Sequence, residues 1–352
     1  MLDRWIGAAV GLPVPLSRQA LDDWRIARLA EAVSYARAHS AFYRRHLPDG
    51  GISSIEDFLR LPFTTPEDLR QHYRQMLCVR PDSVARIVTL TTSGSTGMPK
   101  RICFTEADQA RTTEYFHHGM AEFVSPGERV LSLLPGSSPG SLNALLRQGL
   151  AQMSVTLELK GRAIRRAIFR NGTEQYPELL RVISERQITA LVGPPSVIAA
   201  VARFSAEAGL TGLTSSLRSV LLAAEYVSVE ARETISRIWN CRVNEHYGMT
   251  ETGLAGAVGC AAFDGYHVWE SGLFYEIIDP ASGLPVEDGH VGEIVVTTLL
   301  QEAMPMIRYR TEDRSRILPG QCPCGSVLKR LERVRSRPQE KKFRERTIPN
   351  EF

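Results

Sequence analysis

From residue 84 onward, short apolar runs alternate with amphipathic stretches, and this alternation restricts the fold more than any other feature of the chain. The runs V-A-R-I-V-T-L (84–90), R-V-L-S-L-L (129–134), M-S-V-T-L-E-L (153–159), I-T-A-L-V-G (188–193) and S-V-L-L-A-A (219–224) have the length and flanking turn residues of strands. Helix-like stretches lie between them at 106–123, 141–151, 175–187, 195–208 and 228–239. Strands that alternate with helices imply an α/β domain with a largely parallel sheet.

The two ends of the chain read differently. Residues 20–47 carry apolar side chains at helical steps, among them Trp24, Ile26, Leu29, Ala32, Val33 and Ala36. P-D-G-G-I then makes a turn. Ser53 or Ser54 is placed to cap a helix. Thr65 is placed to cap another, with Pro66 at its first position and Glu67 and Asp68 in its first turn. From residue 263 the chain is strand-rich, with Y-H-V-W-E, F-Y-E-I-I-D-P and G-E-I-V-V-T-T-L. D-P-A-S-G and E-D-G-H read as hairpin turns. The expected division is a helical region 1–83, α/β subdomains 84–260, a β-rich subdomain 261–337 and a basic tail 338–352.

Composition excludes several classes. The 352 residues are 43% hydrophobic and 23% charged, with net charge +3. That balance fits neither a disordered chain nor a nucleic-acid coat. No apolar run of about 18 residues marks a membrane span. The N-terminal M-L-D-R-W-I-G-A-A-V-G-L-P-V-P-L carries Asp3 and Trp5 and is soon broken by prolines, so it reads as a packing segment rather than a signal peptide. Six cysteines in this length do not form a disulfide scaffold, and a reduced, cytoplasmic protein is expected. The Arg-rich tail has little interleaved aromatic character and reads as a solvated face, not a nucleic-acid site.

Residues 89–100, T-L-T-T-S-G-S-T-G-M-P-K, are the first candidate site. Backbone N–H groups in a glycine-rich turn form a nest for phosphate oxygens, and Gly94 and Gly97 permit close approach. Ser93, Ser95 and Thr96 add neutral donors, and Lys100 adds a cation. The spacing is not that of the G-x-x-x-x-G-K-[S/T] loop. Taken alone, the stretch also reads as a plain Ser/Gly surface turn.

Three ordered motifs carry a resemblance. T-S-G-S-T-G-M-P-K is similar to the phosphate-binding loop of the adenylate-forming superfamily of acyl-CoA synthetases, luciferases and peptide-synthetase adenylation domains. E-H-Y-G-M-T-E-T-G (245–253) resembles its aromatic-Gly-x-Thr-Glu motif, and R-Y-R-T-E-D (308–313) its Tyr-Arg-Thr-Gly-Asp motif. Further elements resemble the phenylacetate-CoA ligase branch: P-F-T-T-P-E-D-L-R, D-G-Y-H-V-W-E-S, Y-E-I-I-D-P, Q-E-A-M-P-M-I-R-Y-R-T and C-P-C-G. The similarity runs from about residue 20 to 337.

The resemblance implies the large N-terminal domain of an adenylate-forming enzyme: mostly parallel sheets flanked by helices, plus a β-rich subdomain. It implies that ATP and a small carboxylate, aromatic acids included, react to give an acyl-adenylate and pyrophosphate, with CoA or a carrier-protein thiol as acceptor. By the same resemblance Thr92, Ser93, Gly94, Ser95, Thr96, Gly97 and Lys100 hold the β- and γ-phosphates. Tyr247 stacks on adenine beside Ala224 and Glu225 of L-L-A-A-E, where Ala223 stands for the family's glycine. Thr250 meets the α-phosphate, Glu251 binds Mg²⁺ as a hard carboxylate, and Asp313 accepts the ribose hydroxyls. Thr250, Glu251 and Lys100 are the catalytic candidates. Without the motif context, Tyr247 reads as a core residue and Asp313 as a turn cap.

Cys260, His267, Cys322 and Cys324 offer the soft thiolate and imidazole ligands that suit Zn²⁺. Their C-x6-H and C-x-C spacing is not that of a standard finger, but they fall on the branch's own elements, so a structural zinc clip is expected. Cys78, Cys103 and Cys241 read as lone buried thiols. His246 is open between lining the acyl pocket and a structural role. His117, Leu134 and Ser137 are further lining candidates, and the small, polar P-G-S-S-P-G-S-L (135–142) argues against phenylacetate itself.

Full-length family members continue into a small mobile C-terminal domain that carries the catalytic lysine. R-L-E-R-V-R-S-R-P-Q-E-K-K resembles the approach to that hinge, with Arg333 and Arg337 aligned and Gln339 or Glu340 at the hinge. The expectation is therefore a chain without the C-terminal domain, in which adenylation is weak or depends on a partner that supplies it. A nucleotide-binding subunit without turnover is the alternative, and a homodimer is an open arrangement.

Overall fold

The computed structural model describes residues 2–90, 99–134, 140–159, 173–262 and 264–335. The chain forms two compact units. One gathers Met1–Thr112, Gly248–Ala257 and the residues from His267 onward; the other gathers Thr113–Tyr247 and Val258–Tyr266.

The first unit opens with helices α1 (Leu2–Ala9), α2 (Arg18–His39), α3 (Ala41–His46), α4 (Ile55–Leu59) and α5 (Pro66–Met76). Periodicity over 20–47 reads as one helix, but Ser40 divides it. Its backbone N–H donates to the Ala36 carbonyl, ending α2, while its hydroxyl accepts from Tyr43 N at 3.2 Å, starting α3. Serine competes with the helical ladder through this local bond. Ser54 caps α4, and Ser53 bonds the Asp57 side chain. Thr65 caps α5 in a full capping box with Asp68, behind Pro66.

Strands β1 (Arg86–Leu90) and β2 (Lys100–Phe104) then pair antiparallel. The run 84–90 is thus a strand, but in a two-stranded ribbon outside the parallel sheet. Later in this unit, β10 (Leu273–Ile278), β11 (Gly292–Thr298) and β12 (Tyr309–Ser315) form an antiparallel meander. Separately, β9 (Tyr266–Val268) lies between β8 (Gly256–Gly259) and β13 (Arg330–Leu331). In D-P-A-S-G, Asp279 Oδ1 accepts from the N–H groups of Ala281 (3.1 Å) and Ser282 (2.7 Å), and the turn lies in the long connection between β10 and β11.

The second unit holds parallel strands in the order β4-β3-β5-β6-β7, with β3 (Arg129–Ser132), β4 (Thr156–Leu159), β5 (Ala190–Gly193), β6 (Ser219–Leu222) and β7 (Arg242–Gly248). One face packs on α8 (Tyr176–Glu185), α9 (Pro195–Glu207) and α10 (Val229–Trp239). Leu131, Leu191, Val220, Leu222 and Val243 meet Leu180, Ile198, Ala202 and Ile235 there in a continuous apolar core. Asn240 ends α10 at φ 48°, a conformation asparagine tolerates.

The unit also contains most of α6 (Glu106–Met120) and all of α7 (Leu142–Ala151), which Ser141 caps. Ser132 Oγ donates to Asn143 Oδ1 at 2.6 Å and Asn143 Nδ2 to the Leu134 carbonyl at 2.9 Å, tying α7 to the end of β3. Gly149 lets α7 approach α6 closely: a Cβ there would lie 2.9 Å from His117 N and 3.0 Å from the Thr113 carbonyl oxygen. Those are backbone atoms and cannot swing aside. Gly149→Ala is expected to destabilise the protein by about 1–3 kcal/mol through overpacking, read as a lower denaturant midpoint.

Candidate functional site

Lys100 is the first residue of β2, directly after Pro99. Thr92, Ser93, Gly94, Ser95, Thr96 and Gly97 lie outside the described residues, as do Ser137, Arg337, Gln339 and Glu340. The Lys100 side chain is buried. Its ammonium donates to Glu251 Oε1 and, at 3.4 Å, to the Tyr309 hydroxyl. Tyr309 in turn donates to Glu251 Oε1 at 3.1 Å. A buried ammonium is tolerated only when it is paired, and here a carboxylate and a phenol satisfy it.

The backbone around Glu251 is tightly determined. Thr250–Thr252 form a single 3₁₀ turn closed by bonds from Thr252 N (3.2 Å) and Leu254 N (2.8 Å) to the Met249 carbonyl. Gly253 follows at φ 71°, where a Cβ would also lie 3.1 Å from Thr112 Oγ1, so the second glycine of Y-G-M-T-E-T-G is required twice over. Thr250 is half-buried beside it.

Asp313 is set by a bulge. Val295 pairs with Arg310 and Glu293 with Arg314, so Thr311, Glu312 and Asp313 together oppose Ile294. Glu312 takes up the excess at φ 64°. Thr311 Oγ1 donates to the Ile294 carbonyl at 2.7 Å and accepts from Asp313 N at 3.1 Å. Arg310 grips Glu293 through Nε and NH2, and the same carboxylate accepts from Glu312 N at 3.2 Å. The half-buried Asp313 is thereby displaced from the strand register; after burial, its charge is what raises the pKa of the Tyr275 phenol.

Tyr247, Ala224 and Glu225 belong to the second unit. Tyr247 is half-buried near the end of β7. Ala224 is exposed at φ 71°, a left-handed conformation that costs an alanine roughly 1–2 kcal/mol. Glu225 Oε2 accepts from Ser196 Oγ at 2.6 Å and Ser196 N at 3.3 Å, which places its charge at the N-terminus of α9. His246 rests against Tyr115 and Phe116, with centroids 5.7 and 6.5 Å away, and burial lowers its pKa to about 4. Burial also lowers that of His118 to about 4.

Within the first unit His267, Cys322 and Cys324 converge. Their ligand atoms lie within 4.8 Å of one another, with Cys324 Sγ 3.3 Å from His267 Nε2. Burial pulls the pKa of His267 down, favouring the neutral imidazole that ligates metals. Two thiols and one imidazole fit Zn²⁺ in kind. Cys260 is buried directly after β8, in the part of the chain assigned to the second unit. Burial raises the thiol pKa of Cys78 to about 12, that of Cys241 to about 11 and that of Cys103 as well, which leaves them inert.

Sequence reasoning did not single out Tyr309 as a partner of Lys100 and Glu251. The signal was present in R-Y-R-T, but only folding brings β12 to β2.

A family model for AMP-binding enzymes matches residues 23–300. The chain belongs to the AMP-binding enzyme family. It is 27% identical over 325 residues to the phenylacetate-coenzyme A ligase of Thermus thermophilus, covering 90% of this chain and 70% of that one. It is 28% identical over 324 residues to the corresponding ligase of Escherichia coli, covering 89% and 70%. Among solved structures, 2-hydroxyisobutyryl-CoA ligase with 2-HIB-AMP and CoA superposes with TM-score 0.77 at 21% identity, over 90% of this chain and 69% of that one. The fold of this family member is thus that of the large domain of adenylate-forming enzymes. Among the described residues no helix is long and apolar enough to cross a membrane.

The depressed pKa of His246 has a direct consequence. Between pH 6.5 and about 4 the unfolded chain takes up a proton that the folded chain refuses. Stability is therefore expected to fall as pH drops through that window, by up to about 3 kcal/mol from this residue. Denaturant titrations at a series of pH values should show the slope, and His246→Phe should remove part of it.

Proposed function

We propose that this chain binds ATP with Mg²⁺, joins a small carboxylate to the α-phosphate and passes the acyl group to CoA. The observation that carries the reading is the buried Lys100–Glu251–Tyr309 cluster, built from all three motif segments of the family. In the first step a carboxylate oxygen attacks the α-phosphorus, the bond to the bridging oxygen breaks, and pyrophosphate leaves. In the second, the thiol sulfur attacks the acyl carbon, AMP leaves, and the thiol proton passes to solvent.

The loop Thr92–Gly97 cradles the β- and γ-phosphates through its amides and hydroxyls. Lys100 exchanges its Glu251 partner for phosphate oxygens, and this frees the Glu251 carboxylate for the metal. Magnesium, when bound, offsets charge on the phosphates and the leaving pyrophosphate. Thr250 donates to the α-phosphate, and Asp313, held out of register by its bulge, accepts from the ribose hydroxyls. Tyr247 stacks on adenine, with Ala224 and Glu225 at its edge. A carrier-protein thiol is the alternative acceptor to CoA.

Calorimetric titration of the purified protein with ATP and with AMP, in Mg²⁺, should give saturable binding. Asp313→Ala should weaken it by tenfold or more, and unchanged affinity would refute the ribose role. Pyrophosphate release across a panel of carboxylic acids, with and without CoA, tests the chemistry.

The proposed zinc site takes its ligands from His267, Cys322 and Cys324. Cys260, supplied by the G-C-x3-D-G-x-H element, is the proposed fourth. Its role is structural, closing the turn around C-P-C-G. Elemental analysis should find about one zinc per chain, and stripping it with a chelator should lower the melting temperature. Metal-free protein with unchanged stability would remove the proposal.

A further inference from the structure

The face of β7 opposite α9 and α10 carries two polar side chains, each with a buried nitrogen that no described residue bonds. Successive side chains of a strand point to opposite faces. Val243 joins the apolar core with α9 and α10, and Glu245, on the same face, accepts from Tyr266 Oη at 2.5 Å and pairs with Arg232 of α10 at 3.4 Å. Asn244 and His246 therefore share the other face. Asn244, paired across the sheet with Leu221, is 5% exposed, and its Nδ2 has no hydrogen-bond partner among the described residues. His246 Nε2 is likewise buried and has no partner among the described residues, while the ring lies against Tyr115 and Phe116.

Buried polar atoms without partners are rare, because each forfeits its hydration and regains nothing. Ser132, Asn143 and the Leu134 carbonyl of the same unit, by contrast, satisfy one another. At 244 and 246 an apolar residue would be the more stable choice. Both positions lie toward the C-terminal end of β7, just before Tyr247, and ligands of parallel α/β sheets bind outside the carboxyl ends of the strands.

We infer that Asn244 and His246 are specificity-determining residues that recognise an oxygen on the acyl group, so that the substrate is a hydroxy- or oxo-carboxylic acid rather than a plain hydrocarbon acid. The inference rests on the adenylation reading above. An amide N–H donates to such an oxygen. A neutral imidazole, held neutral here by burial, either donates or accepts, which suits a hydroxyl or a carbonyl equally. Tyr115 and Phe116 supply the apolar wall for the hydrocarbon part. A site built to bond a substrate oxygen discriminates strongly against the analogue that lacks it, because its own polar groups are then left unpaired.

The test uses acyl-sulfamoyladenosines, stable mimics of the acyl-adenylate, in matched pairs: mandelyl and phenylacetyl, 4-hydroxyphenylacetyl and phenylacetyl, lactyl and propionyl, 3-hydroxybutyryl and butyryl. At least one oxygen-bearing member should bind the wild-type chain ten times more tightly than its partner, or better. Asn244→Leu and His246→Phe should each reduce that preference below threefold and leave AMP affinity unchanged. Without ligand, both variants should melt at the wild-type temperature or higher, since each removes an unpaired buried group. Equal affinity within every pair, a preference that persists in the variants, or lower melting temperatures would overturn the inference while AMP binding stood. A wild-type chain that bound neither AMP nor any analogue would overturn the adenylation reading, and this inference with it.

Discussion

The first unit depends on one buried ion pair, Arg308 with Glu276. Both side chains are almost fully excluded from solvent. The guanidinium bonds the carboxylate through Nε and NH2 at 2.7–3.2 Å, and its NH1 reaches the carbonyls of Leu59 and Leu61 at 2.5 Å. Phe63 stacks beneath it at 4.2 Å. Taking two such charges out of water is expensive unless every donor is used, and here nearly every donor is. Burial alone pushes the Glu276 pKa up, and Arg308 works against that rise. The arrangement joins the end of α4, strand β10 and the start of β12 at one point.

Its consequence is positional. Arg308 sits at φ 48°, an uncommon value for a non-glycine residue, which its many bonds hold in place. The next residue, Tyr309, reaches the Lys100–Glu251 pair, and four residues further the bulge sets out Asp313. Tyr43 adds a second clamp on the approach to β12: its hydroxyl donates to the Pro305 carbonyl and accepts from Ile307 N. A third buried network, Glu270 with Arg18 and Arg25, lies in the same unit. The pattern sets this unit apart from the second, whose core is almost wholly aliphatic. The charged framework fixes where the polar groups stand, and the aliphatic core carries a sheet.

Much of this was legible in advance, for identifiable reasons. The parallel strands β3 to β6 are short apolar runs between turn residues, and several helices start where capping side chains stand. Ser54, Thr65, Ser141 and Ser228 each cap the helix that follows. Strands β7 and β12 escaped because R-V-N-E-H-Y-G and Y-R-T-E-D-R-S are polar and lack alternation. Their pairing partners, not their own side chains, make them strands. β2 was hidden for a similar reason, since K-R-I-C-F becomes a strand only by pairing back onto β1. Ser40 hid a helix break inside a continuous apolar period.

By itself, the amino-acid order determined the class of fold, the family and the identities of Lys100, Glu251 and Asp313 as candidates, since spacing, capping and short motifs are local properties. Which groups meet was left to the tertiary structure. Tyr309 joins Lys100 across 209 residues of sequence. Glu225, read beside adenine, is bonded to Ser196 at a helix start. Asn244 and His246 are ordinary polar residues in the sequence and become unsatisfied only when β7 is buried. The physical reason is common to all three: whether a polar group is paired or orphaned depends on what surrounds it after the chain has left water, and no local pattern records that.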